Sequence, residues 1–309
     1  MDNVSIIESP SNLGLKEPKT GREPGVKGLP DYLRKYGFHD LINPQSISRL
    51  DTPTYTMSMD EVSGVRNADN IVTYSKEQAT VLEKAVSENS FPIVIGGDCS
   101  ILIGNALALK KLGNYALFFL DGHTDFIWPA LSKTGGAAGM DLAIVCGYGH
   151  NKLTNIEGTK PYFNENQIWC VGNRYYEEWY VQAIMSSRIQ YTDLNRLREY
   201  GIKNCIADFL NMTLAKSVDG FWIHIDVDVL NDSIMPAVDS PQADGLNYKE
   251  FNEILQLLLT DEKATGLEIT ILDPDRDPTG KYTKDFVTNF CKSFNSAKSN
   301  ANQGRPHRL

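Results

Sequence analysis

The sequence predicts an α/β fold: a parallel sheet covered by helices on both faces. Three observations lead there. Short apolar runs alternate along the chain with amphipathic stretches, without a linker-like break or an internal repeat. The runs are apolar throughout rather than at every second residue, as strands buried on both faces are. Several end abruptly in acidic residues, and ligands of open parallel sheets bind beyond the carboxyl ends of the strands.

Taken in order, residues 11–30 are rich in Gly, Pro and Lys and predict an irregular loop. Pro30 opens a short helix that Gly37 stops, and residues 43–60 predict loop with at most one strand. Ser75 and Gln78 match a capping box, which predicts a helix start there, with Ala79, Leu82, Ala85 and Val86 on one face. Residues 92–95 form a short apolar strand ending at Gly96-Gly97-Asp98-Cys99-Ser100. A helix over 101–112, stopped by Gly113, leads into the strand 115–120. Residues 133–139 predict a flexible loop, 167–171 a strand, and 177–186 and 193–215 helices. The strand 221–225 follows. Asn247 and Glu250 then cap a helix carrying Phe251, Ile254, Leu255 and Leu258, and 267–272 is a last strand. Residues 1–309 are expected to form one domain, with a polar distal tail, about 296–309, disordered.

A chain of 309 residues can bury a large core, and 41% hydrophobic with 22% charged residues is an ordinary composition for a soluble protein. A net charge of −9 without a basic block argues against nucleic acid as the main partner. No apolar run approaches the roughly 20 residues that span a bilayer, so no membrane role is expected. The first ten residues lack the basic and apolar regions of a signal peptide. Cys99, Cys146, Cys170, Cys205 and Cys291 are odd in number and widely spaced, which predicts reduced thiols and a cytoplasmic location.

The chemistry concentrates at two strand ends. The run 115–120 stops at Asp121-Gly122-His123-Thr124-Asp125, and the run 221–225 stops at Asp226-Val227-Asp228. Spaced carboxylates with one imidazole among them suit a borderline-hard divalent cation, and two adjacent cations require bridging anions.

These blocks resemble the ureohydrolase family of arginase, agmatinase and formiminoglutamase. Gly96-Gly97-Asp98-Cys99-Ser100 stands for the family's G-G-D-H-S, Asp121 to Asp125 for D-A-H-x-D, and His224-Ile225-Asp226-Val227-Asp228 for S-x-D-x-D. Leu13-Gly14-Leu15, Pro24-Gly25-Val26, Gly245-Leu246 and Thr265-Gly266-Leu267 support the match in order and spacing. The resemblance implies an arginase-like three-layer α/β/α sandwich and a hydrolase acting on C–N bonds other than peptide bonds. It implies two Mn²⁺ ions per chain, with Zn²⁺, Fe²⁺ or Ni²⁺ as alternatives. Carried over by position, Asp121 and Asp226 bridge the ions, Cys99 and Asp125 complete one, and His123 and Asp228 the other. In the family a hydroxide held between the ions attacks a guanidinium or amidine carbon. A homo-oligomer, trimer or hexamer, is also implied.

The sequence departs from the family pattern at four places. Cys99 replaces a His ligand, and is either a softer ligand or a small buried thiol beside a weakened subsite. Ala138 aligns with the proton-shuttling His of arginase, leaving nearby His150 as a catalytic candidate or a merely solvated side chain. Ile271 aligns with the Glu that pairs with the guanidinium, a charged hydrogen bond worth about 1.5–3 kcal/mol. Asp273, Asp275 or Asp277 either takes over that role or only caps the turn. Ile127, followed by Trp128, aligns with the Asn that reads the amino-acid carboxylate of arginine, so this wall of the substrate site is apolar and free L-arginine is not the expected substrate.

Other polar residues carry paired readings. His224 either orients a carboxylate, touches substrate or is a structural buried His. Asp98 is expected to support a ligand rather than to be one. Glu177 and Glu178 either grip a substrate amine or face solvent at a helix start. The leading reading is hydrolysis of a small guanidino, amidino or related nitrogen compound, with Asp125 passing a proton to the leaving amine. The alternatives are a regulatory member with weakened metal binding and a hydrolase of neutral amides.

Overall fold

The computed structural model describes residues 3–303. In chain order its elements are β1 (Val4–Ser9), α1 (Leu29–Lys35), α2 (Phe38–Ile42), β2 (Ser46–Arg49), β3 (Met59–Asp60), β4 (Val65–Arg66) and α3 (Ala68–Ser87). Then come β5 (Phe91–Gly96), α4 (Ile101–Leu112), β6 (Tyr115–Leu120), α5 (Asp141–Val145), α6 (Asn151–Thr154), β7 (Ile168–Val171) and α7 (Glu178–Met185). The last are β8 (Gln190–Thr192), α8 (Leu194–Tyr200), α9 (Ile202–Ala215), β9 (Gly220–Asp226), α10 (Tyr248–Leu259), β10 (Ala264–Thr270) and α11 (Lys281–Gln303).

Eight strands form one sheet in the order β2-β1-β5-β10-β9-β6-β7-β8, and every pairing in it is parallel. The expected three-layer α/β/α architecture is what the chain adopts. Its layering follows from the period of two along each strand. Phe221, Ile223 and Ile225 of β9 enter one apolar cluster, with Phe251, Leu255, Phe286 and Phe290 of α10 and α11. Trp222 of the same strand enters the other, with Leu82 and Leu107 of α3 and α4. Residues on that second face of β9 and β10 include His224, Asp226, Glu268 and Thr270, and all four are buried.

Several elements differ from expectation. α3 begins at Ala68, so Ser75 and Gln78 are buried in its interior and cap nothing; Gln78 instead donates to the Ile101 carbonyl at 2.8 Å. β1 and the short edge strand β8 were not predicted. β1 pairs on both sides and is fully buried, yet its six residues include three polar ones, which hides it from an apolar-run criterion. The helix expected over 193–215 breaks at Gly201, whose φ of +91° suits glycine. The tail expected to be disordered from about 296 continues as α11 to Gln303, because Phe290, Phe294 and Ala297 repeat at helical spacing and bury fully. Residues 304–309 of that expected tail lie outside the described residues.

Candidate active site

β6 and β9 are neighbours in parallel register, Leu120 beside Ile225, so their acidic exits lie side by side at one edge of the sheet. Each exit is locked by its first aspartate. Asp121 Oδ1 accepts from the His123 amide at 2.6 Å, and Asp226 Oδ1 accepts from the Asp228 amide at 2.7 Å. This Asx turn is why the spacing is D-x-H and D-x-D: the carboxylate caps the chain two residues on and turns the next ligand inward. The Gly122 amide donates to Asp228 Oδ1 at 3.0 Å and ties the exits together. A Cβ on Gly122 would stand 2.3 Å from Arg174 Nη1 and 2.7 Å from Asp228 Oδ1, so only glycine fits.

Cys99, His123, Asp125, Asp226 and Asp228 line one cavity of about 190 Å³, together with Ile127, Ala138, Tyr180, Asp239, Ser240 and Ile271. Among the described residues two trios bring donor atoms within 4.8 Å of one another: Asp121, His123 and Asp228, and Cys99, Asp121 and His224. Asp121 belongs to both, as a bridging residue would. His123 Nδ1 lies 2.9 Å from Asp228 Oδ2, and Cys99 Sγ lies 3.0 Å from Asp226 Oδ2 and 3.1 Å from Thr270 Oγ1.

The electrostatics test whether cations fit here. Asp121, Asp125, Asp141, Asp226, Asp228 and Glu268 are all buried in or beside the cluster, against two imidazoles. Buried anions in such excess need protons or cations. Burial, then the charge of Asp121, pushes Asp125 well above the carboxylate range; burial and Asp228 do the same to Asp226. Burial likewise raises Asp141, whose Oδ2 has no hydrogen-bond partner, and pushes the Cys99 thiol up, helped by Asp226. Asp121 goes the other way: burial opposes its charge, but His123 and His224 bring it down to about 2. Burial would also lower His224, yet Asp121 and Glu268 hold it up at about 10. An oxygen-rich set with imidazoles and an excess of negative charge is the donor chemistry of divalent cations.

Not every expected site residue converges. His150 is exposed, and its Nδ1 accepts from the Lys152 amide at 3.2 Å at the start of α6. It does not line the cavity, which favours the merely solvated reading over a catalytic one. Trp128 is turned onto Tyr148, ring centroids 5.9 Å apart, and does not line the cavity. Glu177 and Glu178 are exposed at the start of α7, which favours the solvated reading. Asp273 is buried outside the cavity, accepting from the Asp275 amide at 2.9 Å beside Arg22 and Arg276, so it caps its turn. Ile271 does line the cavity, at a φ of +77° that a β-branched residue rarely adopts. Its amide is held by the Gly97 carbonyl at 2.8 Å. Asp98 is fully buried and accepts from the Ser100 amide at 2.8 Å.

Sequence reasoning passed over Tyr180, Arg174, Asp141 and Glu268. Tyr180 Oη accepts from the amides of Thr124 and Asp125 at 2.9 and 3.1 Å and donates to Asp125 Oδ1 at 3.4 Å. It pins Asp125 at a φ of +42°. Arg174 Nη2 donates to the Asp228 carbonyl at 2.6 Å. For Glu268 a signal existed: a carboxylate in the middle of an apolar strand.

Fold and site together define a class: an α/β protein that gathers carboxylates and imidazoles at the carboxyl edge of a parallel sheet. The arginase family profile matches residues 3–295. The arginase of Bacillus subtilis (strain 168) is 25% identical over 288 residues, 92% of this chain and 95% of its own. The structure of arginase from Bacillus caldovelox at pH 5.6 superposes with a TM-score of 0.84 at 25% identity, covering 95% of this chain and 98% of that one. Formimidoylglutamase from Bacillus subtilis superposes at 0.72 with 18% identity, covering 96% and 88%. The chain belongs to the arginase family, hydrolases of C–N bonds other than peptide bonds. Among the described residues no helix is long and apolar enough to cross a membrane.

Proposed function

We propose that this chain hydrolyses a C–N bond in a small guanidino or amidino compound other than free L-arginine. One observation carries the reading: residues from two strand exits and the Gly97 turn, Cys99, His123, Asp125, Asp226 and Asp228, line a single cavity large enough for a small molecule. Its acidic lining favours a cationic substrate, while Ile127 and Ile271 make two walls apolar, where the family resemblance implies Asn and Glu.

Asp121 and Asp226 would be shared by two divalent ions, Mn²⁺ in at least one subsite, with Cys99 and Asp125 completing the set for one ion and His123 and Asp228 for the other. Two such ions supply, when bound, the positive charge that makes water nucleophilic near neutral pH. Asp125, at the cavity wall, takes the proton of the attacking water and passes it to the leaving nitrogen. Tyr180 keeps that carboxylate aimed inward. The whole chain acts as one catalytic domain, and we take it to work in the cytoplasm as a trimer or hexamer. Its five cysteines, all free and buried, suit a reducing compartment.

The test is a screen of Mn²⁺-loaded protein against guanidines, amidines and neutral amides, reading released urea, ammonia or amine. Turnover of a guanidine or amidine other than arginine supports the reading. Turnover of amides alone, or of arginine as the best substrate, overturns it.

A further inference from the structure

His224 is fully buried in β9, on the same sheet face as Asp226. Its ring lies flat on Phe119, centroids 4.3 Å apart and planes within 5°, so its direction is set by packing. Nδ1 is 2.7 Å from Glu268 Oε1. The other oxygen of Glu268 accepts from Asn105 Nδ2, and Asn105 Oδ1 accepts from Gln78 at 2.6 Å. A carboxylate is an acceptor only, so Nδ1 is the donor in this pair. Nε2 then faces the cluster, and it has no hydrogen-bond partner. Opposite it, at 3.8 Å, is Asp121 Oδ2, which also has none.

Two unpartnered polar atoms in a fully buried site, facing each other beyond hydrogen-bond range, call for something between them. Donors about 2.0–2.3 Å from one ion stand roughly 3.3–4 Å apart, which this pair does. Cys99 Sγ completes the trio within 4.8 Å. We propose that His224 is itself a metal ligand through Nε2, and that with Cys99 and Asp121 it forms a subsite for a softer divalent cation than its neighbour takes. The imidazole absent from position 99 is supplied from β9, two places along the sheet from β5. Glu268 is the carboxylate that orients it, with Asn105 and Gln78 behind. Sulfur and nitrogen donors favour Zn²⁺, Fe²⁺ or Co²⁺ here, while the Asp121, His123 and Asp228 set is the harder one. On binding, the proton of the Cys99 thiol and any proton on Nε2 are released to solvent.

The inference rests on the reading of this cluster as a cation centre, and one experiment separates the two. Full-length protein is stripped with a chelator and titrated with Co²⁺ alone, following bound metal by elemental analysis and the thiolate-to-cobalt charge-transfer absorption. Wild type should bind about two ions per chain and show the band. His224→Ala should fall to about one ion and lose most of the band, and Cys99→Ser should lose the band. Glu268→Gln should weaken the second ion about 10- to 100-fold. Circular dichroism establishes that each variant is folded, and if His224→Ala is not, Glu268→Gln decides. Unchanged stoichiometry, affinity and band in the variants would overturn the ligand assignment alone. A wild type that binds no Co²⁺ would overturn the cation centre as well.

Discussion

Tyr180→Phe removes one oxygen and almost nothing else. The ring remains edge-on to Tyr175 and Trp179, at 5.0 and 5.5 Å between centroids, so no cavity opens. The amides of Thr124 and Asp125 lose their acceptor in a region where Thr124, Asp125 and Tyr180 are all buried. A buried donor left unsatisfied costs about 1–3 kcal/mol, so the pair predicts a loss of about 2–6 kcal/mol. Measured by urea unfolding of metal-free protein, so that no ion holds the loop, this is a midpoint lowered on the order of 1 M with unchanged slope. Turnover should fall as well, because Asp125 is no longer held at its φ of +42°. A midpoint shifted by less than about 0.2 M would mean that the hydroxyl does not pin the turn.

Asp121→Ala and Asp226→Ala should each abolish turnover and metal content by elemental analysis; full metal occupancy in either would disprove the bridging assignment. Gly122→Ala forces a methyl against Arg174 and Asp228, a strain of about 1–3 kcal/mol, and should weaken metal affinity more than it lowers the melting temperature. Glu8 is buried, and although burial opposes its charge, His39, Arg34 and Arg49 bring its pKa from 4.5 to about 2. A depressed folded pKa means stability present above about pH 5 and lost as pH falls from about 4.5 toward 2. Glu8→Gln should therefore show a flatter melting temperature between about pH 5 and 3, and an unchanged slope would refute the ion-pair account.

Much of this was legible in the chain. Two-sided burial of parallel strands leaves apolar runs, and the Asx turns at their ends impose the D-x-H and D-x-D spacings, so fold and acidic cluster both leave local marks. Mixed composition concealed β1, and the Ser75 cap was misplaced because a capping pattern is indifferent to whether a helix has already begun. Pairings between distant residues left little mark, Glu268 in its apolar strand apart. Asn105 meets Glu268 across 163 residues, and Tyr180 meets Asp125 across 55. His224 could be read from the sequence as structural, supporting or substrate-facing, because its meaning depends on which buried atoms it confronts. Periodicity and spacing are written residue by residue, whereas the partner of a buried polar atom is chosen only when separate strands and helices close around it.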